Sequence, residues 1–263
     1  MHYIDTHCHF NFPIFAGDLE HSLAQVRQAN VVGIVTPATN ADDFVPITQL
    51  ARRIPEVFAA LGLHPLWTQH HHDDDVLRLE KHLAEDDTIL AIGEIGVDFY
   101  TPELCALAAR QWQLLSAQLD LAKSYSLPVI LHSRKSHDPL AKLLKETQLP
   151  ATGVIHGFTG SYQQAKRFID LGFYLGVGGS ISYPRAHKTR DAISKIPLEY
   201  LVVETDAPDM PLQGYQGEAN RPERVIQVCN ILAELKKLPI EALQEAVWQN
   251  SLRLFPKLAG VLS

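Results

Sequence analysis

The run Pro128-Val129-Ile130-Leu131-His132-Ser133-Arg134 is a short apolar strand that ends on a histidine, and Gly153-Val154-Ile155-His156-Gly157-Phe158 repeats the arrangement further on. Between them, Asp138–Lys145 carries apolar residues at helical spacing. Strand, helix and strand in that order imply a parallel pair, because a parallel return requires a crossover. The same unit recurs in both directions along the chain. Strands are expected at Tyr3–Thr6, Gly33–Pro37, Val57–Leu61, Ile89–Ile92, Pro128–Leu131, Gly153–Ile155, Tyr174–Val177 and Leu201–Val203. Most lead into an amphipathic segment: Leu19–Ala29, Asp42–Arg52, Asp74–Glu85, Leu104–Ser124, Asp138–Lys145, Tyr162–Leu171 or Lys188–Lys195, with Pro222–Lys236 and Ile240–Arg253 as closing helices. Eight such units in 263 residues predict an α/β fold of the (β/α)8 TIM-barrel type, a single domain over residues 1–263, since these barrels take about 250 residues. An open doubly wound sheet is the competing layout.

Composition narrows the function classes. With 46% hydrophobic and 20% charged residues, the chain reads as a globular protein and not a disordered one. A formal charge of -7 excludes a general electrostatic grip on nucleic acid, while leaving room for a small positive pocket that bound metal ions could supply. Every apolar run is interrupted well short of the ~20 residues needed to cross a bilayer, and Met1-His2-Tyr3-Ile4-Asp5 does not begin a secretory signal, so a cytoplasmic location is expected. Cys8, Cys105 and Cys229 are odd in number and scattered, which fits reduced thiols.

Chemistry-bearing residues fall at the carboxyl ends of the expected strands, the end where parallel α/β architectures build their sites. His7 and His9 follow the first strand, Glu94 the fourth, His132 the fifth, His156 the sixth and Asp206 the eighth. His7 and His9, two apart, share a strand facing and can grip one ion while Cys8 points elsewhere. Singly, each residue has a plainer reading: an incidental His-x-His, a salt-bridged carboxylate, a hydrogen-bonded histidine. Four imidazoles and two acids at the same end of one sheet read together as a metal site. Nitrogen and oxygen ligands without thiolate suit Zn, Mn, Ni, Co or Fe, with Mg at an oxygen-richer position. Six ligands exceed what one ion needs, so two divalent ions are expected, with Glu94 as the bridge.

At these residues the chain resembles the TatD-type metal-dependent hydrolases, often called TatD family deoxyribonucleases, within the amidohydrolase-like metallohydrolases, and is most similar to their YjjV branch. The likeness runs through Ile4-Asp5-Thr6-His7-Cys8-His9, Gly62-Leu63-His64-Pro65, Gly93-Glu94-Ile95-Gly96-Val97-Asp98, Leu131-His132-Ser133-Arg134, His156-Gly157-Phe158-Thr159-Gly160 and Glu204-Thr205-Asp206-Ala207-Pro208, then Asn220 with Pro222 and Asn250 through Phe255. The resemblance implies a barrel with one ion held by His7, His9, Glu94 and Asp206, and a second by Glu94, His132 and His156. Val97, Phe99, Gly157 and Arg221 depart from the usual family residues without removing a ligand, and bear on substrate preference.

The leading expectation is a divalent-metal-dependent phosphodiesterase or deoxyribonuclease acting on DNA or a small phosphodiester. The alternatives are an amidohydrolase-like enzyme on a small ester or amide, aminoacyl-tRNA esters included, and a non-enzymatic metal-binding protein. In the first, Asp206 orients the attacking water and takes its proton, with Glu94 sharing the catalytic role. Arg134 either supplies a forked donor to phosphate or makes a rim salt bridge. His64 either contacts substrate or shapes a turn held by Pro65. Glu204 is expected to hold a ligand histidine or Arg134. The Gly176-Val177-Gly178-Gly179-Ser180 run lacks a dinucleotide spacing and is read as packing glycine. Trp112 and Trp248 suit core packing and Trp67 the cleft, while His70-His71-His72-Asp73-Asp74-Asp75 reads as a solvated loop with one Asp as a helix N-cap.

Overall fold

A computed structural model describes residues 1–262. Eight parallel strands pair in chain order: β1 Tyr3–Asp5, β2 Val31–Pro37, β3 Val57–Leu61, β4 Ala91–Asp98, β5 Val129–Arg134, β6 Gly153–Ile155, β7 Tyr174–Val177 and β8 Leu201–Val203. A helix follows each: α1 Leu19–Gln28, α2 Phe44–Arg53, α3 Asp75–Glu85, α4 Ala108–Tyr125, α5 His137–Thr147, α6 Tyr162–Ile169, α7 His187–Lys195 and α8 Val225–Lys236, with α9 Ile240–Leu254 after them. The sheet closes on itself just beyond β1 and β8. Thr6 N donates to Val203 O at 3.1 Å, Asp206 N to His7 O at 2.9 Å and His9 N to Ala207 O at 2.8 Å. The expected TIM barrel is therefore the observed fold, and that closure rules out the open sheet.

Two apolar layers hold it. One residue from every strand, namely Ile4, Val35, Ala60, Ala91, Ile130, Val154, Tyr174 and Val202, belongs to a single buried cluster with Leu254, Phe255 and Leu258. These last three belong to the chain's closing segment, and neighbouring Lys257 donates through Nζ to the carbonyls of Asp87 and Ile89 at 2.6 and 2.7 Å, just ahead of β4. The barrel interior is thus plugged at the amino ends of its strands, which leaves the carboxyl ends for polar residues. The other layer lies between sheet and helices and includes Val26, Ile47, Leu79, Leu115, Leu140, Phe168 and Val228.

Several boundaries differ from expectation. β4 was expected to end at Ile92 and β5 at Leu131, yet they continue to Asp98 and Arg134, pairing Gly96 with His132 and Asp98 with Arg134. Gly96 makes this approach possible: at φ +144° a Cβ would collide with the His132 carbonyl. A register shift between Ile92 and Ile95 also resets the alternation of β4, so Ala91 and Glu94 both serve the barrel interior although period two would oppose them. The expected helix Leu104–Ser124 breaks at Leu107 into Pro102–Ala106 and α4. Short helices at Pro13–Ala16 and Pro256–Leu262 were not foreseen.

Candidate metal centre

The two carboxylate oxygens of Glu94, a side chain only 1% exposed, face two different groups of imidazoles. Oε2 lies 3.1 Å from His7 Nε2 and 3.6 Å from His9 Nε2. Oε1 lies 2.7 Å from His156 Nε2, 3.0 Å from His132 Nδ1 and 2.7 Å from His64 Nε2. Asp206 completes the first group, its Oδ1 3.4 Å from His7 Nε2 and 3.8 Å from His9 Nε2. The six residues singled out as ligands thus converge on one mouth of the barrel. His64 joins them, packed against Glu94 in the interior at 5% exposure.

The donor chemistry fits cations. Both ring nitrogens of His7, and Nδ1 of His9 and of His156, are buried with no hydrogen-bond partner among the described residues. His132 is more telling. Its Nε2 lies 2.9 Å from Asp98 Oδ2, and a proton held there leaves the Nδ1 lone pair facing Glu94 Oε1, acceptor against acceptor, a contact that only a proton or a cation reconciles. Every partner of Glu94 is an imidazole, with no Lys or Arg among the described residues. Three groups in this cluster, His7/His156/Asp206, His7/His9/Glu94 and His64/Glu94/His132, have ligand atoms close enough to share an ion.

His64 differs from the rest in its proton. Leu66 N donates to its Nδ1 at 3.0 Å, so the neutral ring carries hydrogen on Nε2, directed at Glu94 Oε1. Burial pushes the His64 pKa down to about 4, which keeps the ring neutral. This geometry makes His64 a donor to Glu94 and leaves no lone pair on Nε2 for an ion. His71 donates from Nε2 to the His64 carbonyl at 2.9 Å and is itself buried.

Charges in the cluster are strongly displaced. Burial would raise the Glu94 carboxyl, but the imidazoles of His156, His64 and His7 outweigh it and hold the group well below its ordinary value. Burial pushes Asp206 up to about 6 and Glu204 up to about 8. For His156, burial works downward while Glu94 pulls the ring up to about 10.

A scaffold of buried polar residues sets these positions. Asp5 accepts from Thr205 N at 2.9 Å, from Thr205 Oγ1 at 2.5 Å and from His7 N at 3.3 Å, tying the ends of β1 and β8 together. Asn220 donates to the Thr205 carbonyl at 2.8 Å. Glu204 accepts from Gly157 N and stands 3.8 Å from His156 Nδ1, so of its two expected partners it meets the histidine and not Arg134. The Gly-rich run makes room for it, since a Cβ at Gly176 would strike the Glu204 carboxylate.

Other expectations are corrected. Arg134 makes no ion pair among the described residues, so the rim salt bridge is absent; its guanidinium lies 3.5 Å from the centroid of the exposed Tyr100 ring. Trp67 does not line the metal cleft: the turn Pro65–Trp67 carries it outward to a separate hollow with Asn40, His70 and Arg78. The acidic-histidine run is not uniformly solvated, because His71 is buried under His64, while an Asp does hold the N-cap position of α3 as expected. Asp74 precedes α3 without a side-chain bond, while Asp75 accepts from His72 N at 2.8 Å and pairs with Arg78 at 2.9 Å. Trp112 does pack in the core, against Phe99, and Trp248 against His2. Asp98 and His71 were not singled out as site residues. Asp98 had a readable signal, an acid closing an apolar strand, whereas His71 sat within a run whose composition pointed to solvent.

Comparison with known proteins gives the family and the fold. Residues 4–256 match the family described as TatD related DNase. An uncharacterized metal-dependent hydrolase of Escherichia coli (strain K12), YjjV, is 50% identical over 96% of this chain and 97% of its own. The crystal structure of E. coli YjjV, a TatD homologue, superposes with a TM-score of 0.94, covering 97% of this chain and 98% of that one. Human deoxyribonuclease TATDN3 is 32% identical over 98% of this chain and 96% of its own.

Proposed function

The chain belongs to the TatD-related DNase family, and from that membership we propose that it is a metal-dependent hydrolase of phosphodiester bonds in DNA or a small nucleotide, working as one catalytic barrel over residues 1–263. His7, His9, Glu94 and Asp206 would hold one divalent ion, and Glu94, His132 and His156 a second, from among Zn, Mn, Mg, Ni, Co and Fe. The observation that carries this reading is Glu94, whose two oxygens face separate sets of ring nitrogens. Divalent cations bound there supply a water of lowered pKa and neutralise the oxygens of the phosphate.

The chain's own groups do the rest. Asp206 orients the attacking water and accepts its proton on the carboxylate. Glu94 keeps the two halves of the centre in register, steadied by the Nε2–H of His64. Asp98 fixes the ring of His132 and Glu204 lies against that of His156, so both present the nitrogen that faces Glu94. Arg134, on the exposed end of β5, offers a planar pair of donors to a phosphate. The acidic balance of the chain favours a short or end-bound substrate over a long duplex.

The test is hydrolysis of single-stranded DNA, dinucleotide phosphodiesters and aminoacyl esters by purified protein loaded in turn with Mg, Mn or Zn. Turnover of the phosphodiesters is expected. Turnover confined to the aminoacyl esters would replace this reading with that of a carboxylic ester hydrolase.

A further inference from the structure

Beyond the metal centre, a hollow of about 440 Å³ lies between Tyr100, the turn from β5 into α5, the loop after β6 and the start of α7. Three exposed cations line it, Arg134, Lys135 and Lys188, and none of them pairs with a carboxylate among the described residues. Arg134 and Lys135 are instead gathered over the Tyr100 ring, 3.5 and 4.7 Å from its centroid. The one acid of the lining, Asp138, is already neutralised by Arg167, which donates to it at 2.6 Å. Ser136 precedes the 11-residue helix α5 without a side-chain cap, and His137 and Asp138, its first two residues, line the hollow. In a chain of formal charge -7 this is a concentrated positive surface, and its donors suit an anion with several oxygens.

Its position says which anion. Arg134 is two residues beyond His132 on β5, about 7 Å along the strand, and lies opposite Asp98, the residue that holds His132. Adjacent phosphates of a single strand can span that separation. We infer that the hollow is a subsite for an uncleaved phosphate next to the scissile one, so that the preferred substrate carries two phosphates joined through one nucleoside. The inference rests on the phosphodiesterase reading above and adds the substrate's minimum length.

The metal-loaded enzyme is compared on dithymidine phosphate and on its 5′- and 3′-phosphorylated forms at low salt. One phosphorylated form is expected to exceed the unphosphorylated one in kcat/KM by about tenfold, mainly through KM. The Lys135→Ala/Lys188→Ala double variant should bring that ratio close to one, and Lys188→Glu should bring it below one. Both lysines are exposed, and an unchanged melting temperature certifies the fold. Equal kcat/KM for all three substrates, or a preference that survives in the double variant, overturns the inference. Binding separates it from the parent reading. A methylphosphonate-linked dithymidine, which is not cleaved, should bind the loaded enzyme about tenfold more tightly with a terminal phosphate than without, in a lysine-dependent way. That result alongside no cleavage of any diester keeps the subsite and rejects the phosphodiesterase; absence of lysine-dependent binding rejects the subsite.

Discussion

Asp98 uses both carboxylate oxygens, and an asparagine in its place has only one. Oδ1 accepts from Tyr100 N at 2.8 Å and Oδ2 lies 2.9 Å from His132 Nε2. In Asp98→Asn the amide must either abandon Tyr100 or turn its NH2 toward His132. The second choice moves the imidazole proton to Nδ1, the nitrogen facing Glu94, and so removes that lone pair from the centre. The first keeps the tautomer but exchanges a charge-assisted bond for a neutral one. Bonds to ionised groups contribute about 1.5–3 kcal/mol and neutral ones about 0.5–1.5, so the exchange costs about 1–2 kcal/mol. That corresponds to about 5- to 30-fold weaker ion binding, within the range seen when the partner of a ligating histidine is lost. The backbone of Asp98 remains clamped by Gln111, which accepts from Asp98 N at 2.8 Å and donates to Asp98 O at 3.1 Å, so the barrel should stay folded. Competition of the protein with a chromophoric chelator measures affinity, and hydrolysis at saturating metal measures turnover. The expected outcome is a weaker site with turnover largely recovered at high metal. Unchanged affinity in a folded variant would refute the assignment of Asp98 as the residue that orients His132.

Other substitutions probe the centre from different sides. Glu94→Gln and Asp206→Asn should each abolish hydrolysis, with Glu94→Gln also lowering bound metal by elemental analysis; retained activity in both rejects the catalytic assignment. Arg134→Ala should raise KM several-fold at unchanged metal content, and a loss of metal instead would make Arg134 structural. Chelation should lower the melting temperature by about 5–10 °C relative to protein with ions at ~100 times their dissociation constant, read by calorimetry and reversed on adding metal. Gly96→Ala should destabilise the fold by about 2 kcal/mol or more, because alanine resists φ +144° and its methyl meets the His132 carbonyl; an unchanged denaturation midpoint would contradict that packing.

Most of the fold was legible because its signal is periodic. Val57–Leu61, Gly153–Ile155, Tyr174–Val177 and Leu201–Val203 are apolar runs bounded by polar or turn residues, and they are strands with those bounds. The signal failed where polar chemistry sits inside a strand: Glu94 and His132 look like strand ends, but β4 and β5 carry them within their pairing. The convergence of the candidate ligands was legible for a related reason. The candidates stood at or near the carboxyl ends of five strands, His7 and His9 sharing the first, so closing the barrel was enough to bring them together. Tautomers and supporting bonds were not legible. That His64 faces Glu94 as a donor depends on Leu66 N and on the His71 ring beneath it, contacts through a turn whose direction no spacing rule specifies.

The bond pattern at the barrel's closure has a bearing on biogenesis. Asp5 meets Thr205 across 200 positions of chain, and this contact, with those of His7 and His9 to the segment after β8, joins the first strand to the last. A nascent polypeptide emerging from the ribosome therefore has both histidines available long before Asp206 is made. These two proposed ligands wait through nearly the whole of synthesis. On the proposed ligand assignment, full affinity for ions requires both ends to fasten, so acquiring metal and finishing the barrel would be one late event, with the ions as a clasp across it.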